Sequence, residues 1–133
     1  MNLPEVIKRM SEHLDYYWMF CLQHEGGGTQ IVNGVNIICR WKPILIYQNG
    51  KKKLLNTLSD IVVSGGREKD GHDWQQSESG VSYLIEMFTN PGDLICEPFA
   101  GSGTTIKASI TKGRGVIAAE IDEETYNIAK AGL

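Results

Sequence analysis

The tightest constraint on the fold lies in residues 93–131. There a short apolar run (DLICE), a glycine turn (PFAGSG), a helical stretch, a second apolar run ending in an acid (VIAAEI) and another helical stretch follow without a break. Strands separated by a helix pair in parallel through a right-handed crossover, so this segment predicts a βαβ unit and an α/β fold. The predicted strands are 93–97 and 116–121, and the helices are 104–112 and 122–131 with Asp122 as N-cap. Glycines between a strand and a helix let a ligand approach the backbone closely and leave amides at the helix start. The turn is not a phosphate loop, because no lysine follows Gly103, and it is not a full dinucleotide fingerprint, because Ile106 stands where a third glycine belongs. What remains is a nucleoside-type site. Glu120, seventeen residues past Gly103, sits where a carboxylate accepts from ribose hydroxyls. Glu97 ends the first strand and suits a ligand carrying positive charge.

Upstream, residues 4–14 place Val6, Ile7, Met10 and Leu14 at helical spacing with Pro4 in the first turn, and 16–22 (YYWMFCL) reads as a strand buried on both faces. Gly26, Gly27 and Gly28 close that unit; Asn33-Gly34 signals a turn, and 35–39 and 43–47 are strands, the second ended by Asn49-Gly50. Residues 51–61 are weakly patterned, and the polar, glycine-rich 64–72 (SGGREKDGH) predict a loop. Val81, Leu84, Ile85 and Phe88 form a helical stripe stopped by Asn90-Pro91-Gly92. There are no internal repeats, and 133 residues predict one domain.

Charge separates the halves. Residues 1–66 carry seven Lys/Arg against five Asp/Glu, and 67–133 carry six against eleven, a net of +2 against −5. An acidic second half disfavours a nucleic-acid footprint there, and Lys51, Lys52 and Lys53 form the basic cluster of the first half. Cys21, Cys39 and Cys96 are odd in number and widely spaced within apolar stretches, which predicts buried small hydrophobes in a reducing compartment. No metal-ligand spacing links them to His13, His24 or His72. No apolar run approaches the ~20 residues of a membrane helix, and the charged first residues do not fit a signal peptide; a cytoplasmic protein is expected.

Residues 97–105 (EPFAGSGTT) resemble the S-adenosylmethionine motif of DNA amino-methyltransferases, which modify the exocyclic amine of adenine or cytosine. The likeness continues upstream through His72, Asp73, Trp74, Gln75, Gln76 and Ser77, then Leu84-Ile85 and Asn90-Pro91-Gly92-Asp93. It continues downstream through Glu120-Ile121-Asp122, Tyr126 and Ala129. Residues 41–47 and 3–22 resemble parts of the catalytic half in the subgroup whose cofactor half is C-terminal. The resemblance implies a Rossmann-like methyltransferase sheet of the kind found in restriction–modification enzymes. One methyltransferase-like domain would span 1–133, with 1–50 from the catalytic half, 51–71 a loop or short target-recognition insert, and 72–133 the cofactor half. It also implies S-adenosylmethionine as cofactor and DNA as partner. By position, Phe99, Gly101 and Gly103 would shape the cofactor pocket, Glu97 would face the methionine end and Glu120 the ribose. Thr104 and Thr105 would open the helix beneath the ligand, and Trp74, Gln75 and Ser77 would line the opposite wall. The residue-level alternatives are that Phe99 belongs to the core and that Glu97 caps the turn that follows it. Glu97 replaces the aspartate more usual in the family, and Gln76-Ser77 stands where many relatives have Lys-Pro.

The family's catalytic motif is Asp or Asn, two prolines and an aromatic, whose polar groups accept from the target amine while the ring stacks on the flipped base. The prolines here are 4, 43, 91 and 98, so no Pro-Pro occurs and no catalytic residue is assigned. In this subgroup the motif would precede Met1, on a central strand between 93–97 and 16–22, and a strand following 122–131 is also absent. The expectation is an incomplete sheet with two unpaired edges, in an N-terminally truncated chain that alone binds cofactor weakly or not at all and does not methylate. Exposed edges would favour self-association. The alternative is a non-catalytic methyltransferase remnant acting as a binding or assembly module; a nicotinamide oxidoreductase is disfavoured by Ile106.

Overall fold

The computed structural model describes residues 2–24, 30–32, 36–50, 57–64 and 78–133. The chain divides into two compact units, one of Met1–Gln23 with Gly27–Val62 and one of His24–Gly26 with Val63–Leu133.

In the first unit, helix α1 (Leu3–Ser11) holds Pro4 in its first turn, where a missing N–H costs nothing, and carries an exposed Glu5–Arg9 ion pair of 2.7 Å. Strand β1 (Asp15–His24) follows. Strands β2 (Gln30–Val32) and β3 (Ile37–Cys39) pair antiparallel, with Ile31 opposite Ile38; the expected Asn33-Gly34 turn lies outside the described residues. Strand β4 (Trp41–Gln48) runs antiparallel to β1, from Asp15 opposite Gln48 to Gln23 opposite Trp41, with a register shift between Tyr16 and Trp18. Tyr16 and Tyr47 meet edge to face at 5.8 Å. Strand β5 (Ile61–Ser64), unforeseen within a stretch read as weakly patterned and then as loop, lies on the other side of β1, so the sheet order is β4-β1-β5. The Cys21 amide donates to the Asp60 carbonyl at 2.7 Å, and the Trp18 indole donates to the Asp60 carboxylate at 3.1 Å.

Two expectations are corrected here. Strand β1 is paired on both edges, because Ile61–Ser64 takes the side expected to be open. And β1 is not buried on both faces: Phe20 is buried, as is Val62 on β5, whereas Tyr16, Trp18 and Met19 are exposed. Helix α1 has no buried residue, so it does not form the apolar lid that such a strand requires.

In the second unit, α2 (Glu78–Phe88) leads through a Pro91-Gly92 turn into β6 (Leu94–Glu97), α3 (Thr104–Thr111), β7 (Gly115–Ala118) and α4 (Glu123–Ala131). The helices and strands match the sequence reading, except that β7 stops at Ala118 rather than 121. Its partner β6 turns away at Pro98, which has no N–H for a ladder. Strands β6 and β7 are parallel, with Leu94 opposite Gly115 and Glu97 opposite Ala118, as the βαβ pattern requires. Alternation puts Ile95 and Val116 on the half-buried face, and Leu94 (65% exposed), Cys96 and Ile117 (60%) on the other. Ile85 of α2, Ile106, Ala108 and Ser109 of α3, and Ala129 of α4 are buried. Arg114, 8% exposed, is also buried and was not singled out in the sequence.

The cysteine expectation fails for the same reason as that for β1. Cys39 and Cys96 are exposed and Cys21 is half-buried, because the strands that carry them have an uncovered face.

Candidate functional site

The residues between β6 and α3 are held by acceptors at the ends of both strands. Three successive amides are donated in this way: Phe99 to Glu97 Oε1 at 3.0 Å, Ala100 to the Ala119 carbonyl at 2.9 Å, and Gly101 to Glu120 Oε2 at 2.8 Å. The Gly103 amide closes the turn onto the Ala100 carbonyl at 3.0 Å. Two positions need glycine. Gly101 and Gly103 lie at φ +53° and +89°, in the left-handed region. At Gly103 a Cβ would also stand 3.3 Å from the Ala129 Cβ, so glycine there brings α4 against the start of α3. Gly103 caps α3 with backbone alone, so the Thr104 and Thr105 amides have no acceptor among the described residues, and neither has Ser102.

Glu120 is the hub. Its Oε1 accepts the Asp122 amide at 3.0 Å while Oε2 takes Gly101. These bonds, Asp122's the stronger influence, hold its carboxyl below the usual range against the opposing effects of burial and the Asp122 charge. Asp122 in turn N-caps α4, with its Oδ1 accepting the Thr125 amide at 2.8 Å; the bonds to Thr125 lower its pKa as well. Both groups are anionic at neutral pH. The lysines of α3 and its C-cap are engaged elsewhere, Lys107 with Glu78 at 3.6 Å and Lys112 with Glu86 at 2.7 Å. A turn edged by anions and lacking a lysine suits a neutral or cationic nucleoside, not a phosphate. Among the described residues no group of three or more His, Cys, Asp or Glu could hold a metal.

Of the residues singled out in the sequence, Glu97, Gly101, Gly103, Thr104, Thr105 and Glu120 come together on this turn. Glu97 does cap it. Phe99 is 85% exposed, so it is not part of the core. Trp74, Gln75 and Ser77 lie outside the described residues, as does His72. Ile121, given no site role in the sequence, is fully exposed between Glu120 and Asp122. The available signal was its place between two acids, which does not favour a core position. Sequence reasoning passed over Ala119, which acts through its backbone and so leaves no trace in side-chain chemistry.

Residues 40–50% identical to curated methyltransferases occur over short spans, and 30% identity extends over most of the chain. The DNA adenine methyltransferase YhdJ of Escherichia coli (strain K12) is 40% identical over 57 residues, covering 43% of this chain and 19% of YhdJ. The type II methyltransferase M.HindIII of Haemophilus influenzae is 30% identical over 108 residues, covering 81% of this chain and 32% of that enzyme. The chain thus spans between about a fifth and a third of these two relatives. Among solved structures, the M1.HpyAVI–SAM complex superposes with a TM-score of 0.81 at 22% identity, over 98% of this chain and 68% of that one. That likeness establishes a methyltransferase fold. The family model described as DNA methylase, which covers N6 and N4 methyltransferases, matches residues 9–131, almost the whole chain. The glycine turn with a carboxylate at each strand end, the fold and this match agree, and the chain belongs to the DNA methylase family.

Proposed function

We propose that residues 72–133 are the cofactor half of an S-adenosylmethionine-dependent DNA methyltransferase that acts on an exocyclic amine of adenine or cytosine. The observation that carries the reading is the anchoring of one glycine turn by two strand-end carboxylates, Glu97 and Glu120. When bound, the cofactor supplies an electrophilic methyl group on a sulfonium. The residues present fit such a ligand. Glu120 has lone pairs beyond its two amide bonds for ribose hydroxyls, and Glu97 Oε2 is available to a positive methionine end. The Ser102, Thr104 and Thr105 amides offer donors, and exposed Phe99 and Ile121 offer apolar surface to a base. Trp74, Gln75 and Ser77 are proposed for the opposite wall. Methyl transfer needs positioning and polarisation of the target amine, and no residue of this chain is assigned to that step.

The test is an NMR titration of the chain with millimolar S-adenosylmethionine or NAD, together with a methylation assay on duplex DNA. S-adenosylmethionine is expected to move the Gly101, Ser102, Thr104 and Ile121 amides and NAD to leave them in place, with no DNA methylated by this chain alone. Shifts with NAD equal to those with S-adenosylmethionine would overturn the cofactor assignment, and turnover would overturn the claim of inactivity.

A second reading, an assembly module that self-associates, draws support from the exposed Leu94, Cys96 and Ile117 face of a parallel sheet, a type normally covered on both sides. Sedimentation at rising concentration tests it: a monomer at all concentrations excludes self-association. No described helix is long and apolar enough to cross a membrane. A cytoplasmic location, with access to DNA, is part of the proposal.

A further inference from the structure

We infer that Glu120 is a positioning residue for the glycine turn: its carboxylate, acting through Gly101, shapes the ligand-facing surface before any ligand arrives. This rests on reading the turn as the cofactor site. The Phe99, Ala100 and Gly101 amides are consumed by acceptors from the two strand ends, whereas Ser102, Thr104 and Thr105 have no acceptor among the described residues. The turn therefore has an anchored part and a ligand-facing part, and they meet at Gly101, where φ is +53°. The acceptor at that junction lies nineteen residues away and is half-buried. Its second oxygen holds the Asp122 amide, at the residue that caps α4. One carboxylate thus bridges the approach to α3 and the cap of α4. An amide at position 120 cannot replace it, because glutamine has one acceptor oxygen, and its NH2 would face an N–H donor.

The test uses the ligand-free 15N-labelled chain, so its outcome is independent of whether the cofactor assignment holds. Amide exchange at pH 7 is expected to be roughly ten-fold slower at Gly101 than at Ser102. Between pH 3 and 7 the Gly101 and Asp122 amide protons should titrate together, following Glu120. The Asp122 carboxylate is the charged neighbour on the same turn, and the Thr125 amide follows its ionisation separately. In Glu120→Gln the Gly101 titration disappears and its exchange rises to that of Ser102, with the Gly115 amide, bonded to the Asp93 carbonyl, as a control for folding. Gly101 exchanging as fast as Ser102 in the native chain, or a Gly101 shift flat with pH, overturns the inference even if the variant does not fold. A folded variant that keeps the Gly101 titration overturns it too.

Discussion

Arg114 grips Thr89 twice, through Nε to the hydroxyl at 2.9 Å and through Nη2 to the carbonyl at 2.7 Å. Its Nη1 donates to the Lys112 carbonyl. The guanidinium therefore sits where α2 and α3 both end, against the negative poles of two helices and without a carboxylate partner among the described residues. Removing it leaves carbonyls of both helix ends without their donor. Arg114→Ala is expected to cost about 3 kcal/mol, the range for a lost charged, buried hydrogen-bond set. Arg114→Lys should recover less than half, since an ammonium cannot reproduce the fork. The urea midpoint reads both, and an alanine variant within ~0.5 kcal/mol of the native chain would remove the staple role.

The two left-handed glycines should respond differently to alanine. At Gly101 a Cβ meets nothing within 4 Å, so the cost is the backbone term alone, about 1 kcal/mol. At Gly103 the contact with Ala129 at 3.3 Å adds to that term, for a total of roughly 2–4 kcal/mol. Ala129→Gly should then partly rescue Gly103→Ala and leave Gly101→Ala unaffected. Equal costs at the two glycines would show that α4 yields at this contact.

Much of the second unit was legible because its signals are local. The turn glycines, Asp122 three residues before Thr125, and the apolar stripe of α2 each act over a few positions, and each formed as read. The first unit was less legible because its outcome depends on what covers a strand, which no run of residues states. Tyr16 to Leu22 has the composition of a strand buried on both faces, yet Trp18 is exposed; Ile61–Ser64 has too short a pattern to announce itself and still pairs with β1. At the site, Glu97 and Glu120 could be named from spacing. Their shared task of holding the turn amides could not, because an acceptor for Gly101 nineteen residues away is a tertiary fact.

Acid should weaken the second unit through Glu120 and Asp122. Both carboxyls are lowered in the fold, from ordinary values of 4.5 and 3.8. The unfolded chain therefore takes up protons first, and the stabilisation is complete above those values and is lost as pH falls through the lower, folded ones. The urea midpoint should hold steady from pH 7 to about 5 and then decline. Replacing both with their amides should flatten that decline and lower the plateau. A double variant with an unchanged acid limb would assign the acid sensitivity to other carboxylates.

Thiol reactivity separates the uncovered strand faces from the covered one. Cys39 and Cys96 are exposed and Cys21 is half-buried, and the Cys39 thiol donates to the Trp41 carbonyl at 3.1 Å. With excess Ellman's reagent under native conditions, Cys96 is expected to react first. Cys39 should follow more slowly because its hydrogen bond must open, and Cys21 should react last, on the timescale of local opening between β4 and β5. Single Cys→Ser variants assign the phases. Cys96 lies on the same sheet face as Leu94 and Ile117, so its rate also reports whether that face is covered in solution. If chains associate through it, the Cys96 phase should slow as protein concentration rises while the Cys39 phase stays constant. A Cys96 phase that is fast and independent of concentration would mean that the face is open in the free chain.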